Sequence, residues 1–436
     1  MNKSADMEPV EISKPDDVLS NRLDKLTKHF VSRFNYKPQF FTRVPGRVNL
    51  IGDHVDYCGY PVCPMAIEQD VLLAVGKSNS TGLHLTNVES DKYSDYDCDS
   101  LSDCGDVLKK TKDPRWYKYF ICGVVGALEE ITGDKSQGID VAVWGNIPPA
   151  SGLSSSSAVV SSAVLAMTHA FDCPMSKKDL ALLSARAERH IGTQGGAMDQ
   201  AIAFLANPGA AKLIEFNPLR TTDVRLPEDA VFVIANSMAE FNKAATAEFN
   251  TRVRECKSAA QMIAKEKLEK WDNVNTIGDL QKELGTSLSE TLEMAKKILV
   301  DYPTLFKRIQ HVLSEADRVL EFKSVCQSSK DGQLIRLGKL MNESHQSLRD
   351  LYECSHKSVD LLVETALECG ALGARITGAG WGGCVVALTT KDKVESFVKD
   401  LKQKFIAING AKADQVENAI FVTEPRAGAA IYETRM

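Results

Sequence analysis

Apolar residues at Leu23, Leu26, Phe30 and Phe34, with polar residues between them, predict that the fold opens with an amphipathic helix over NRLDKLTKHFVSRF. Runs rich in β-branched and aromatic residues then predict strands at 40–44 (FFTRV), 62–67 (VCPMAI), 70–75 (DVLLAV) and 138–145 (GIDVAVWG), with the aromatic segment WYKYFICGVVGAL between the last two. From Ser154 the spacing predicts two helices, SSSSAVVSSAVLAMTHAF and SKKDLALLSARAERHIG, followed by strands at AAKLIEF and AVFVIANS. The Pro-containing stretch ending at Pro227 is the expected domain boundary. It divides the chain into a flexible arm (1–18), an N-terminal α+β domain (19–226) and a C-terminal α+β domain (227–436). The second half is mainly helical, with 3.6-residue periodicity over NKAATAEFNTRVRECKSAAQMIAKEK, LSETLEMAKKIL, YPTLFKRIQHVLSEADRVLEF and LIRLGKLMNESHQSLRDLYE. It closes with strands CVVALTT and AIFVTE around the helix KDKVESFVKDLKQKF. Strands and helices that do not alternate strictly predict the α+β class, with helices on one face of each sheet.

Length and composition narrow the partners. A chain of 436 residues suits two domains. With 52 basic and 58 acidic side chains (52 − 58 = −6) and no long Lys/Arg block, a nucleic-acid partner is not expected. The polar N-terminus has no apolar core of a signal peptide, and no stretch reaches about eighteen uninterrupted apolar residues, so a cytoplasmic chain without membrane association is expected. A monomer is expected as well. The 11 cysteines form no CxxC pair, and CGYPVC has no second pair to complete a zinc site, which predicts free structural thiols.

Several motifs imitate chemistry they do not carry. VGKS ends like a phosphate loop, but the first glycine would fall at Val71 inside a strand pattern. GAGWGG satisfies GxGxxG through Gly378, Gly380 and Gly383, yet a strand follows where a dinucleotide site needs a helix. Those glycines say only that backbone turns tightly against another strand or a ligand. The acidic run 91–106 has DxDxD spacing but lacks the glycine and the glutamate of a calcium loop, which predicts a solvated loop.

Three clusters carry more. GNIPPASGLSSSSA leads a tight loop into a helix whose free N–H groups and partial positive charge suit an anion; simple capping by one serine is the alternative. GRVNLIGDHVDY brings Arg47, Asp53, His54 and Asp56 into one Gly-bounded loop, suited to a polyhydroxylated ligand or to surface salt bridges alone. In ERHIGTQGGAMDQAIAFL, Asp199 is either an N-cap or a general base with its pKa lowered by a nearby Arg.

Taken in order, GRVNLIGDHVDY, PPASGLSSSSA and ITGAGWGGCVVAL resemble the GHMP family of small-molecule kinases, and the first is similar to the galactokinase signature. The similarity runs from about residue 35 to the end; IGTQGGAMDQ, AKLIEFNPLR and VFVIANSMAEFNKAAT resemble the branch acting on N-acetylgalactosamine. The resemblance implies a two-domain GHMP kinase fold with the active site in the interdomain cleft and a ferredoxin-like sheet in the C-terminal domain. It implies an ATP- and Mg²⁺-dependent sugar-1-kinase acting on N-acetylgalactosamine, with galactose as a weaker substrate; the alternatives are a galactokinase proper and a non-catalytic sugar and ATP sensor. Asp199 would take the proton of the anomeric hydroxyl, and Arg47 would keep Asp199 ionised and offset phosphoryl charge. Asp53, His54 and Asp56 would bind ring hydroxyls beside the close backbone of Gly196; relatives usually carry Glu at the position of Asp53. Gly152, Ser154, Ser155 and Ser156 would cradle phosphates, Ser155 and Glu188 would reach Mg²⁺, and Trp116 would wall the adenine pocket. Asn242 and Lys243 would line the sugar pocket, with Phe249 near C2, where many galactose enzymes have Tyr.

Overall fold

The computed structural model describes residues 8–110, 115–328, 331–409 and 413–434. The opening helix, Asp17–Phe34, starts where the Asp16 carboxylate accepts the Leu19 N–H at 2.8 Å, and ends on Asn35 in left-handed backbone. Its apolar stripe explains why the next strands read as nearly continuous apolar runs. One face of the first sheet packs Phe41, Leu72 and Ala74 under Leu23, Leu26 and Phe30. The other face sends Val44, Val48 and Leu50 into the main core, so both faces are dry.

The strands are β1 (Phe40–Ile51), β2 (Cys63–Lys77), β3 (Leu83–Asn87), β4 (Tyr96–Cys98), β5 (Ile139–Gly145) and β6 (Ala211–Glu215). They continue as β7 (Arg220–Val224), β8 (Ala230–Asn236), β9 (Gly373–Ile376), β10 (Cys384–Thr390), β11 (Ile420–Thr423) and β12 (Ala430–Glu433). One sheet runs β12-β1-β2-β5-β3-β4, a second runs β11-β8-β10-β9, and β6 pairs with β7. The second sheet is antiparallel throughout and is backed by helices, among them Gln333–Asp350 against β9. A mixed first sheet and an antiparallel second one, each packed with helices, make this an α+β fold in two lobes; the first sheet carries helices on both faces, Asp17–Phe34 on one and Ser155–Ala170 on the other, and not on one face as expected.

Several details depart from the sequence reading. VCPMAI and DVLLAV fall in one 15-residue strand, because the segment 67–69 between them, with the exposed Glu68, bulges out of the ladder without turning it. VGKS lies at its end. β12 returns to pair with β1, so the last residues of the expected 227–436 domain belong to the first sheet. Within the expected loose arm, Val10 is buried and bridges join Pro9 to Ser176 and Ile12 to Ile431; residues 1–7 lie outside the described residues. The acidic run is not wholly a solvated loop, since it holds β4 and buries Leu101 and Cys104. NKAAT stays out of the helix expected there, which begins only at Glu248. No helix among the described residues is long and apolar enough to cross a membrane.

Candidate active site

The helix Ser155–Ala170 is buried along most of its length, and its N-terminus opens on the cleft between the lobes. Ser154 holds the cap position in left-handed backbone (φ 63°), and its side chain makes no capping bond, contrary to the simple N-cap alternative. The first N–H groups of the helix are therefore not closed off by that hydroxyl, and Ser154, Ser155 and Ser156 line the adjoining cavity. Gly152 (φ 79°) is glycine for a different reason from phosphate access. A Cβ there would stand 2.6 Å from the Thr377 carbonyl oxygen, while one on Gly378 would strike the Gly152 carbonyl. The late glycines thus dock on the serine loop, and Cys384 N–H donates to Ser151 O at 2.8 Å across the same seam.

Residues 67–69 of β2 bulge opposite Gly46, beside Arg47. The register against β2 slips between Pro45 and Arg47, and Arg47 N–H then donates to Leu153 O at 3.2 Å. The guanidinium meets Asp199 Oδ1 at 2.7 Å and donates to Gly152 O at 2.5 Å. Asp199 is the second residue of the helix Met198–Leu205, capped by Ala197, so it is not an N-cap. Lys243 approaches its other oxygen at 3.8 Å and Glu188 at 3.4 Å. The Ser157 hydroxyl lies 2.7 Å from Glu188 and 3.1 Å from Asp199, so its single proton serves two carboxylates in turn. Burial alone would raise the Asp199 pKa, but Arg47 and Lys243 outweigh it and hold the carboxyl below its ordinary value. Burial likewise opposes the charge on Lys243, and Glu188 and Asp199 raise its pKa in spite of it. Glu188 pairs with Ser156, Ser157 and Gln200, not with Ser155, because successive helical residues point about 100° apart.

Two cavities meet at this cluster, sharing Arg47, Asp199, Lys243 and Ala379. The first is walled by Asp53, His54, Asp56, Gly196 and Phe249. Gly196 is required there, since a Cβ would collide with the Asp56 carboxylate. Burial, then the charge of Asp199, push the Asp56 pKa up to about 6. Asp53 is 1% exposed and spends its oxygens on Asn49 (2.8 Å), Arg375 (2.6 Å) and Gly378 N–H (3.2 Å). Burial raises its pKa, with Arg375 opposing. His54 has positive φ (64°), which places its ring against Phe249 at 5.6 Å between centroids. Burial, then the charge of His311, hold its pKa down at about 3, so the ring is neutral. The Ala379 carbonyl can only accept, so Nε2 carries the hydrogen (3.0 Å) and Nδ1 accepts from Tyr57 (2.7 Å), whose oxygen accepts from Tyr352 (2.7 Å). Both nitrogens of His54 thus have protein partners, and the residue forms part of the cavity wall.

The second cavity is bounded by the serine loop on one side and by Trp116, Tyr93 and Asn87 on the other. Trp116 Nε1–H is fixed on Ser94 O at 2.9 Å, leaving the ring to line the cavity. Asn242 also faces this cavity, and Lys243 lies 6.0 Å from the Phe249 ring centroid. A polyhydroxylated acceptor in the first cavity and a phosphate ester in the second would face each other across Asp199. Among the described residues no three His, Cys, Asp or Glu side chains form a metal-holding group. Sequence reading missed Arg375, Tyr57, Tyr352 and Tyr119; Tyr57 closes the motif GRVNLIGDHVDY without a role there, and the other three stand outside the quoted motifs.

Comparison with known proteins gives the family of the chain. The galactokinase galactose-binding signature matches residues 28–77, the GHMP kinases N terminal domain matches 119–207, and the GHMP kinases C terminal domain matches 323–407. Galactokinase of Dictyostelium discoideum is 35% identical, with 97% of each chain covered. Galactokinase of Saccharomyces cerevisiae is 31% identical over 97% of this chain and 96% of its own. The structure of Lactococcus lactis galactokinase complexed with galactose superposes with a TM-score of 0.80 at 27% identity, covering 94% of this chain and 99% of that one.

Proposed function

Because the chain belongs to the galactokinase family of GHMP kinases, and is therefore a sugar kinase, we propose that it transfers the γ-phosphoryl group of ATP to the anomeric hydroxyl of galactose. The observation that carries this is the junction of the two cavities at Asp199, with Arg47 and Lys243 on its two oxygens. The anomeric oxygen attacks γ-phosphorus as the bond to the bridging oxygen of ADP breaks, and the hydroxyl proton passes to Asp199 Oδ2. A low Asp199 pKa suits this order, because phosphoryl transfer is largely dissociative and the proton can move late. Arg47 and Lys243, already charged and desolvated, offset charge on the transferring group without reorganising. Asp56 accepts ring hydroxyls, and the N-terminus of Ser155–Ala170 receives phosphate oxygens.

Mg²⁺ fits the oxygen donors present. One carboxylate, Glu188, beside the Ser156 hydroxyl is the sparse protein ligation that a phosphate-borne Mg²⁺ takes, and no larger acidic cage is needed. When bound, the ion would neutralise charge on the phosphate chain.

Galactose, not the N-acetylgalactosamine expected from sequence, is the acceptor that the matched signature and relatives favour. Phe249 supports N-acetylgalactosamine as a second acceptor, since its ring offers the cavity an apolar face and no hydroxyl. Purified protein with ATP, Mg²⁺ and each sugar, followed by ³¹P NMR, should yield an anomeric phosphate, and the ratio of kcat/KM ranks the sugars. Binding of sugar and ATP without phosphate transfer would instead support the sensor.

A further inference from the structure

We propose that Arg375, on β9 of the second lobe, is a positioning residue that sets the sugar cavity by acting through Asp53. The guanidinium is fully buried. It holds Asp53 Oδ2 at 2.6 Å, the Asn49 carbonyl at 2.9 Å and the Ser344 hydroxyl at 3.2 Å. Beside it the buried Glu315 accepts the Gly52 N–H at 2.9 Å and the Ser344 hydroxyl at 2.6 Å, and pairs with Arg318 at 2.7 Å. His311 Nε2–H donates to the Asp53 carbonyl at 3.2 Å. The Gly52 amide, the Asp53 carbonyl and the Asp53 carboxylate are therefore all held by the second lobe. The next residues of the same loop, His54 and Asp56, wall the sugar cavity.

The four charges balance, two acids against two arginines, so the cluster leaves no net buried charge. Its desolvation nonetheless costs enough that well-packed apolar residues would often be as stable. Hydrogen bonds supply something apolar packing does not: fixed direction. Arg375 ties the loop to β9, so it bears directly on the position of His54 and Asp56 relative to Gly378 and Ala379. Asp53, nearly inaccessible yet at the wall of the cavity, acts as the handle by which the loop is held.

This rests on reading the first cavity as the sugar site, and the test separates the two. In Arg375→Lys the planar fork is lost while the charge remains. We expect the KM for galactose to rise about tenfold or more, with the KM for ATP within about twofold and the melting temperature little changed. A merely structural role would move the melting temperature and leave the sugar KM of the folded protein alone. In Asp53→Asn/Arg375→Met no buried carboxylate is left unpaired by loss of Arg375, so the melting temperature should recover relative to Arg375→Met alone while the sugar KM stays high. A wild-type sugar KM in either Arg375→Lys or the double variant overturns the proposal, as does failure of both to fold. If the wild-type protein makes no sugar phosphate, the functional reading fails; galactose Kd by calorimetry then replaces KM, with the same expected loss in Arg375→Lys.

Discussion

Asp56→Asn should make the protein more stable near pH 8 and less stable near pH 4, while damaging sugar binding. In the native state burial and the charge of Asp199 hold the Asp56 pKa at about 6, against an ordinary value of 3.8. A carboxyl whose folded pKa exceeds its unfolded one keeps its proton longer in the native state. Native stability is therefore lost as pH rises from about 4 to about 6, and the full cost persists above that window. The difference of about two pKa steps corresponds to about 3 kcal/mol. Asparagine keeps the shape that Gly196 accommodates and cannot ionise. It also surrenders one acceptor among those serving the Tyr57 and Met198 amides, which costs about 1 kcal/mol at every pH. The variant should then gain about 2 kcal/mol at pH 8 and lose about 1 kcal/mol at pH 4. Unfolding entropy scales with length, so for 436 residues the gain is a rise of about 2 °C in melting temperature at pH 8. Thermal melts of both proteins from pH 4 to pH 8 read the effect directly. A difference that stays constant across that range would refute the reasoning. The wild-type kcat/KM for sugar should also fall below about pH 6, as Asp56 gains a proton, and that fall should be absent from the residual activity of the variant.

Asp199→Asn should lower kcat by about 10²–10⁴-fold while galactose binding by calorimetry persists; joint loss of binding and helical circular dichroism would mean that the residue only supports the helix. Ser155→Ala should raise the KM for ATP, because its hydroxyl faces the nucleotide cavity, whereas Ser157→Ala should lower kcat, because its hydroxyl lies between Glu188 and Asp199. Steady-state kinetics showing the same split in both variants would refute that division. Trp116→Ala should raise the KM for ATP by about tenfold and leave the sugar KM unchanged, consistent with roughly 1–2 kcal/mol of lost ring contact.

What was legible in the sequence was whatever one local segment carries. Ser154 to Ser157 occupy one helical turn, and a Gly-containing loop before a helix start signals an anion site wherever it occurs. Arg47 could be named from its motif, but not the bulge at 67–69 of the partner strand beside it, since a register slip depends on both strands. The strands expected at 62–67 and 70–75 leave the polar Glu68 and Gln69 between them. They are one strand because Asp70 is neutralised in place by Arg43 at 2.6 Å and Arg22 at 2.8 Å, so a carboxylate is admitted to the ladder.

Asp53 marks where local reading fails, and for a physical reason. An acidic residue in a Gly-bounded loop reads as a ligand for hydroxyl groups because its neighbours in sequence are polar and nothing nearby neutralises it. Its neutralising partner, Arg375, is 322 residues away on the other lobe. Glu315, which holds Gly52, lies in the middle of the helix Pro303–Gln327 and looks there like any solvated helical acid. Each of these charges, taken alone, is more at home on a surface; buried together they are complementary. The same interdomain closure makes Gly152 and Gly378 mutually necessary, since either Cβ would push the serine loop away from the second lobe. The phosphate side and the sugar side of the cleft are thus fixed by two seams that meet at Gly378, one of apposed glycine backbone and one of buried charge. A substitution at Gly152, which lines the nucleotide cavity, should disturb ATP first, and one at the charge seam should disturb the sugar first.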